Sequence, residues 1–413
     1  MDVMYEVVCG LDVHKETIVA CVIEPAGGKK TKQEVRTFCA HTRDLYQLRS
    51  WLLEKKVEAV AMEGTGIYWR PVYAILEEGT PWKLVVGNAL HVKNVPGRKT
   101  DVKDAEWLAS LVQVGLIRPS FVPPPAIREL RDLTRQRKKM VNDRTRMECR
   151  VLKVLQAANI KLDGVATDAF GVSGMAIMRS LAKGDASPKQ MAQLAKGRLK
   201  KKVDALEVAL EGKLGLVHRQ MLAIALDCLD QADAALKRID ELIDAQVSPH
   251  TEAVERLKTI PGVDRVVAVS MIAELGPDMS VFPTVDHCAS WAGVCPGNNQ
   301  SAGKSRDGRP QRGNVHLKTM LCQAAQSAAR KKDTYFHDKF FRLKARRGHN
   351  KAIMAIAHKQ LIAAYYMLKN RTVFIDLGPK YLDGRDRLRV ARALAKRLQA
   401  LDFVVTLQDA KIS

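Results

Sequence analysis

The sequence predicts an α/β domain built on a mixed sheet, followed by a mainly helical remainder. Three observations predict this. Residues 5–88 alternate short β-branched runs with helical stretches, residues 126–158 run without Pro or Gly behind a PPP stop at 123–125, and the remainder shows helical spacing of apolar residues over long stretches.

In the first part, YEVVCGLD (5–12) and TIVACVI (17–23) read as a β-hairpin, and residues 33–39 suit a third strand. DLYQLRSWLLEKK (44–56) has apolar residues at helical spacing. VEAVAME (57–63) is a buried strand that, like the first, ends in an acid. GIYWRPVYAILEEG (66–79) makes a helix started or interrupted by Pro71, WKLVVGN (82–88) a fifth strand, and DVKDAEWLASLVQVG (101–115) a helix closed by Gly115. The order βββαβαβα predicts a mixed sheet flanked by helices. It is also the element order of ribonuclease H-like domains.

Beyond PPP, residues 126–158 carry a broken apolar stripe of Ile127, Leu130, Leu133, Met140, Val141, Met147, Val151, Val154 and Leu155, predicting one long helix suited to a coiled-coil arm. Residues 164–186 contain glycines and read as less regular. Residues 188–247 are helical again, so the middle of the chain predicts an antiparallel helical pair or bundle. LKTIPGVDRVVAVSMIAELGP (257–277) resembles a helix-hairpin-helix, with Pro261 and Gly262 in a turn whose amides would bind a backbone phosphate. Residues 297–314 read as a Gly- and Arg-rich loop, helices follow at 315–332, 334–346 and 350–369, and the last 40 residues form a basic, partly helical tail. The expected domains are 1–122, 123–250, 251–375 and 376–413.

Composition narrows the function. Lys and Arg total 67 against 45 Asp and Glu, a net charge of +22 on 413 residues, yet 46% of residues are apolar. Such a chain folds, which excludes a disordered polycation, and its charge favours polyanionic partners. Nucleic acid leads and an anionic membrane surface follows. No apolar run approaches the about 18 residues needed to span a bilayer, so a cytoplasmic protein is expected. The eight cysteines are scattered with no C-x-x-C pair, which argues against a disulfide scaffold or zinc ribbon.

Four acids form the first chemical constellation. Asp12 and Glu63 end two predicted central strands, and Asp101 and Asp104 stand three apart at the start of a predicted helix. Each alone has a plain structural reading: Asp101 as a helix cap, Asp104 as a first-turn dipole partner, Glu63 as a solvated strand end. Together, converging carboxylates need cations between them, and Mg²⁺ takes such oxygen ligands together with substrate phosphates.

GLDVHKE (10–16), AMEGTGIYW (61–69) and HVKNVPGRKTDVKDAEWLASL (91–111) resemble the N-terminal half of DEDD-motif transposases of the insertion-sequence one-ten family. TIPGVDRVVAVSMIAELGP (259–277) and WAGVCPGNNQSAGKSRDGRPQRGN (291–314) resemble their C-terminal half. The resemblance implies a RuvC-like domain whose four acids, Asp12, Glu63, Asp101 and Asp104, hold Mg²⁺, or Mn²⁺ as a substitute. It also implies a coiled-coil arm, and a C-terminal transposase domain supplying a serine nucleophile, matched to Ser301 in QSAGK. It further implies a noncoding bridge RNA pairing with target and donor DNA, and a homo-oligomer from dimer to tetramer in a bacterial or archaeal nucleoid. In such assemblies the acid site of one subunit meets the serine of another.

A serine hydroxyl needs a base or a metal to attack phosphate. Near Ser301 in sequence only Asp307 and His316 offer one, and the metal of the acid site would serve. Read without the resemblance, Ser301 is a turn serine, with Ser305 its rival. Phosphate contacts are expected from Arg135, Arg137, Lys138, Lys139 and Arg144 on the long helix, from Gly262, and from Lys304, Arg306, Arg309 and Arg312. Residues 301–351 hold fourteen Lys or Arg against three acids, a net of +11. Lys15 and Lys103 either hold substrate phosphate or neutralise the neighbouring acids. The competing functions are a Holliday-junction resolvase or structure-specific endonuclease that hydrolyses DNA with the acids alone, and a non-catalytic packaging protein.

Overall fold

The computed structural model describes residues 3–26, 31–93, 104–296, 299–301, 304–307, 313–385 and 387–408. The chain divides into two units, Met1–Pro123 and Pro124–Ser413.

The first unit is a five-stranded mixed sheet with helices on both faces. Its strands are β1 (Val8–Val13), β2 (Thr17–Pro25), β3 (Thr31–Cys39), β4 (Ala59–Glu63) and β5 (Lys83–Gly87), in the spatial order β3-β2-β1-β4-β5. The first three pair antiparallel, whereas β4 joins β1 and β5 joins β4 in parallel. Strand alternation sorts the core into two layers. Cys9, Leu11, Val60 and Met62 face α1 (Thr42–Glu54) and α2 (Trp69–Glu77), which contribute Leu48, Trp51, Leu52, Val72 and Leu76. Val8, Ala59, Ala61 and Val85 face α3 (Asp104–Gln113), which contributes Ala105, Leu108, Ala109 and Val112. Gly10 lies under α3, where a Cβ would overlap the carbonyl oxygen of Ala105 and the amide nitrogen of Ala109. The helix sits that close only because the strand carries no side chain there.

In the second unit, α4 (Pro125–Ala157) and α5 (Leu216–Val247) lie antiparallel. The direction follows from their bridges: Gln246 donates to Glu129, Arg137 pairs with Asp240, and Arg144 pairs with Asp233. Short helices between residues 162 and 209 pack on the distal ends of this pair around Leu155, Leu162, Ile177, Leu206 and Leu222. The expectation of irregular structure at 164–186 is corrected here. Val172–Lys183 is a helix that Gly171 precedes and left-handed Gly184 closes; Gly174 is buried in its first turn against the Ala169 carbonyl, while Ile177, Met178 and Leu181 bury one face. Residues 188–247 are helical in separate pieces, with a break around Gly212 and Gly215 before α5 begins.

The rest of the unit is α6 (Thr251–Lys258), α7 (Arg265–Leu275), α8 (Val315–Arg330), α9 (Tyr335–Arg347) and α10 (His349–Asn370), with a basic helix at Arg387–Gln399 near the end. Every residue from Val267 to Leu275 is buried, so α7 is a core helix on all sides. Asp264 caps it, its Oδ1 accepting the Val267 amide at 2.8 Å. Asp264→Ala therefore lowers stability by about 1 kcal/mol in denaturant unfolding.

The expected loop at 297–314 contains an antiparallel ribbon of β6 (Asn299–Ser301) and β7 (Lys304–Asp307). Glycine and arginine content pointed to a loop, but backbone pairing needs little from side chains. No described helix is long and apolar enough to cross a membrane.

Candidate active site

Two features collect the predicted residues, one in each unit. In the first, the parallel register pairs Gly10 with Ala61 and Leu11 with Met62, so Asp12 and Glu63 follow at the next position of each strand. By alternation both continue the Gly10 and Ala61 face, the face that carries α3. Asp104 opens α3, next to the Ala105 carbonyl that rests on Gly10. Three carboxylate residues thus share one face at the carboxyl ends of the central strands. Asp101 and Lys103 lie outside the described residues, and Lys15 is exposed in the turn between β1 and β2.

Two of these carboxylates have local partners that the sequence reading missed. Asp12 Oδ2 lies 3.0 Å from His14 Nε2, and Thr65 Oγ1 donates to Glu63 Oε1. Each partner stands two residues along, just past the end of its strand. That spacing was visible in DVH and EGT. The donor set is of hard oxygens, as Mg²⁺ requires. Among the described residues, however, no three His, Cys, Asp or Glu side chains close around a single point. His14 and Thr65 each engage one oxygen of their carboxylate, which leaves Asp12 Oδ1 and Glu63 Oε2 as the oxygens for a cation.

In the second unit, Ser301 ends β6 in register with Lys304, and Ser305 stands in register with Gln300. Arg306 lies on β7, while Arg309 and Arg312 lie outside the described residues. The base of this segment is pinned. The Asn314 amide donates to the Trp291 carbonyl at 3.0 Å, and Gly313 packs so closely on Gly293 that a Cβ would overlap its backbone.

The pin continues into a buried ion network absent from the sequence reading. Glu274, only 2% exposed, accepts Arg135 through both carboxylate oxygens at 2.7 and 2.8 Å and Asn314 Nδ2 at 2.6 Å, and lies in ion-pair contact with Arg131, whose Nε is 3.3 Å away. Arg131 also donates to the carbonyls of Ala273 and Glu274. Burial pushes the Glu274 carboxyl up, but Arg135, Arg131 and Asn314 outweigh it and hold it below its ordinary value. Asn314 in turn caps α8 by accepting the Leu317 amide. The only sequence signal was an acid inside the apolar run VVAVSMIAEL.

Several arginines offered to phosphate are therefore held internally. Arg135 is bound to Glu274, Arg137 to Asp240, and Arg144 to Asp233 and Glu148, and these carboxylates compete with any phosphate. Lys138 and Lys139 have no carboxylate partner among the described residues. Gly262 has a packing reason for its identity: its φ is +84°, and a Cβ would overlap the Ala324 carbonyl and Ala328 amide of α8.

Residues 9–160 match the family model of IS110-type DEDD transposases, described as a transposase, and residues 254–340 match that of the transposase IS116/IS110/IS902 family. The chain belongs to the IS110 family of transposases. It is accordingly an enzyme that acts on DNA. The transposase for insertion sequence element IS1111A of Coxiella burnetii (strain RSA 493 / Nine Mile phase I) is 24% identical over 376 residues, covering 89% of this chain and 91% of its own. The uncharacterized 44.8 kDa protein of insertion element IS116 from Streptomyces clavuligerus is 25% identical over 329 residues, covering 72% of this chain and 81% of its own. The uncharacterized 42 kDa protein of insertion element IS900 from Mycobacterium paratuberculosis is 25% identical over 308 residues, covering 67% and 73%.

Proposed function

We propose that this transposase cuts and rejoins DNA through a phosphoserine intermediate, with Asp12, Glu63, Asp101 and Asp104 holding Mg²⁺ and Ser301 as nucleophile. The observation that carries the acid half is the shared face of Asp12, Glu63 and Asp104 at the carboxyl ends of β1, β4 and the start of α3. The strand order of the first unit supports reading it as ribonuclease H-like. When bound, the metal supplies positive charge that lowers the serine pKa and stabilises charge on the phosphate under attack.

The serine hydroxyl loses its proton as its oxygen bonds to phosphorus, and the bond from phosphorus to the departing strand's oxygen breaks, that oxygen taking up a proton. A hydroxyl of a second strand then attacks the same phosphorus and releases the serine. The phosphodiester energy is retained throughout, which hydrolysis would lose. Lys15, Lys138, Lys139 and the β6–β7 ribbon supply phosphate contacts. Residues 123–250 form the arm, 251–375 the serine-bearing domain and 376–413 a basic tail. A noncoding guide RNA selects target and donor, and a homo-oligomer, up to a tetramer, brings acids and serine of different subunits together.

Purified protein with guide RNA and DNA bearing the element ends tests the acid half. Strand cleavage should require added Mg²⁺ and should fall below detection in Asp12→Asn and in Asp104→Asn, both retaining wild-type circular dichroism. Full activity in EDTA contradicts the proposal. Site-specific recombination without RNA contradicts the guide.

A further inference from the structure

A cavity of about 270 Å³ lies between α4, α5, α7 and α8. That is close to the lower bound of about 300 Å³ for small-ligand pockets, room for one planar group and not for a duplex. Its wall is apolar, formed by Ile243, Val266, Val269, Val315 and Met320. The hydroxyls of Thr134, Ser270 and Thr319 donate to carbonyls of their own helices, so they do not serve as donors inside.

The rim is cationic. Arg135, Arg137 and Arg265 are paired with Glu274, Asp240 and Asp244, which leaves Lys138 and Lys139 as the lining ammonium groups without a carboxylate among the described residues. His316 on the same rim titrates below its ordinary value, because of burial and then the Arg135, Lys139 and Arg131 charges. It adds a neutral ring at pH 7. An apolar slot with two ammonium groups at its mouth complements a base inside and a phosphate outside, as in pockets that hold extruded nucleotides. A small carboxylate would leave the apolar wall uncovered. Glu274, which lines the cavity, accepts Nδ2 of Asn314, the residue just before α8 at the end of the segment bearing Ser301.

We propose that this cavity receives one unstacked nucleotide of a strand bound by the transposase, base against Val266 and Val269, phosphate on Lys138 and Lys139. This rests on the reading that the chain handles nucleic-acid strands, and adds where one nucleotide leaves the stack.

The test uses the full chain with DNA and RNA strands carrying 2-aminopurine at successive positions, following fluorescence for unstacking and anisotropy for total binding. At one position the bound strand should brighten, and whether this occurs in the DNA or the RNA series identifies the strand. Val266→Trp, which fills the mouth from a partly exposed position, should abolish that signal and weaken binding about tenfold. The double variant Lys138→Ala with Lys139→Ala should weaken base-bearing and abasic strands alike. A position-specific signal unchanged in Val266→Trp with wild-type circular dichroism overturns the proposal. Binding with no brightening at any position overturns it while leaving nucleic-acid handling intact. No binding in either series overturns both.

Discussion

Glu274→Ala destabilises the second unit by about 3–5 kcal/mol, because it leaves the half-buried guanidinium groups of Arg131 and Arg135 without their shared carboxylate. It also frees Asn314 Nδ2, so the base of the Ser301 segment loses one of its anchors. Denaturant unfolding measures the first effect. The pH dependence gives an independent check. The folded carboxyl titrates below its ordinary value, so its contribution is complete above the normal carboxylate range near about pH 4.3 and is lost as pH falls through the lower folded value. The gap in stability between wild type and Glu274→Gln should therefore be widest near neutral pH and shrink in acid. A gap that stays constant from pH 7 to pH 3 would sink the assignment.

Gly10→Ala should cost about 1–3 kcal/mol or more, and should do so by moving α3 off the sheet. The new Cβ would overlap backbone atoms at Ala105 and Ala109, and backbone cannot turn aside as a flexible side chain can. Because Asp104 heads that helix, the variant should lose cleavage more completely than its loss of stability explains. Thermal unfolding beside a single-turnover cleavage assay, at a temperature where the variant remains folded, separates the two. Wild-type cleavage in a folded Gly10→Ala protein would mean that the seat of α3 does not matter to the chemistry.

The mixed sheet and its flanking helices were legible because each strand is a short β-branched run, and the helical stretches between them carry their own spacing. The β1–β2 hairpin was legible too, but the parallel partner of β1 was not, since nothing local in VVCGLD announces that β4 lies beside it. Asp12 and Glu63 stood out as acids closing apolar strands, whereas His14 and Thr65, just past the strand ends, passed unnoticed because the pairs depend on how the chain turns there. The arginines of α4 looked like a solvent-facing basic stripe. Their partners Glu274, Asp240 and Asp233 lie 89 to 139 residues away, beyond any local pattern. The glycines of 164–186 misled for a similar reason: Gly171 and Gly184 bound a helix and Gly174 packs inside it, and the burial of that helix depends on packing elsewhere in the unit.

The charge of +22 is thus unevenly available. Part of the α4 stripe is neutralised within the fold, which leaves Lys138, Lys139 and the ribbon near Ser301 as the better candidates for phosphate. The most direct measurement is to quench the reaction of purified protein with Mg²⁺, guide RNA and element-end DNA, digest it, and search by mass spectrometry for a peptide carrying a nucleotide. A nucleotide on Ser301, absent from Ser301→Ala, is the predicted result. Cleaved DNA with no covalent peptide, and undiminished cleavage by Ser301→Ala, would instead show hydrolysis by the acids alone.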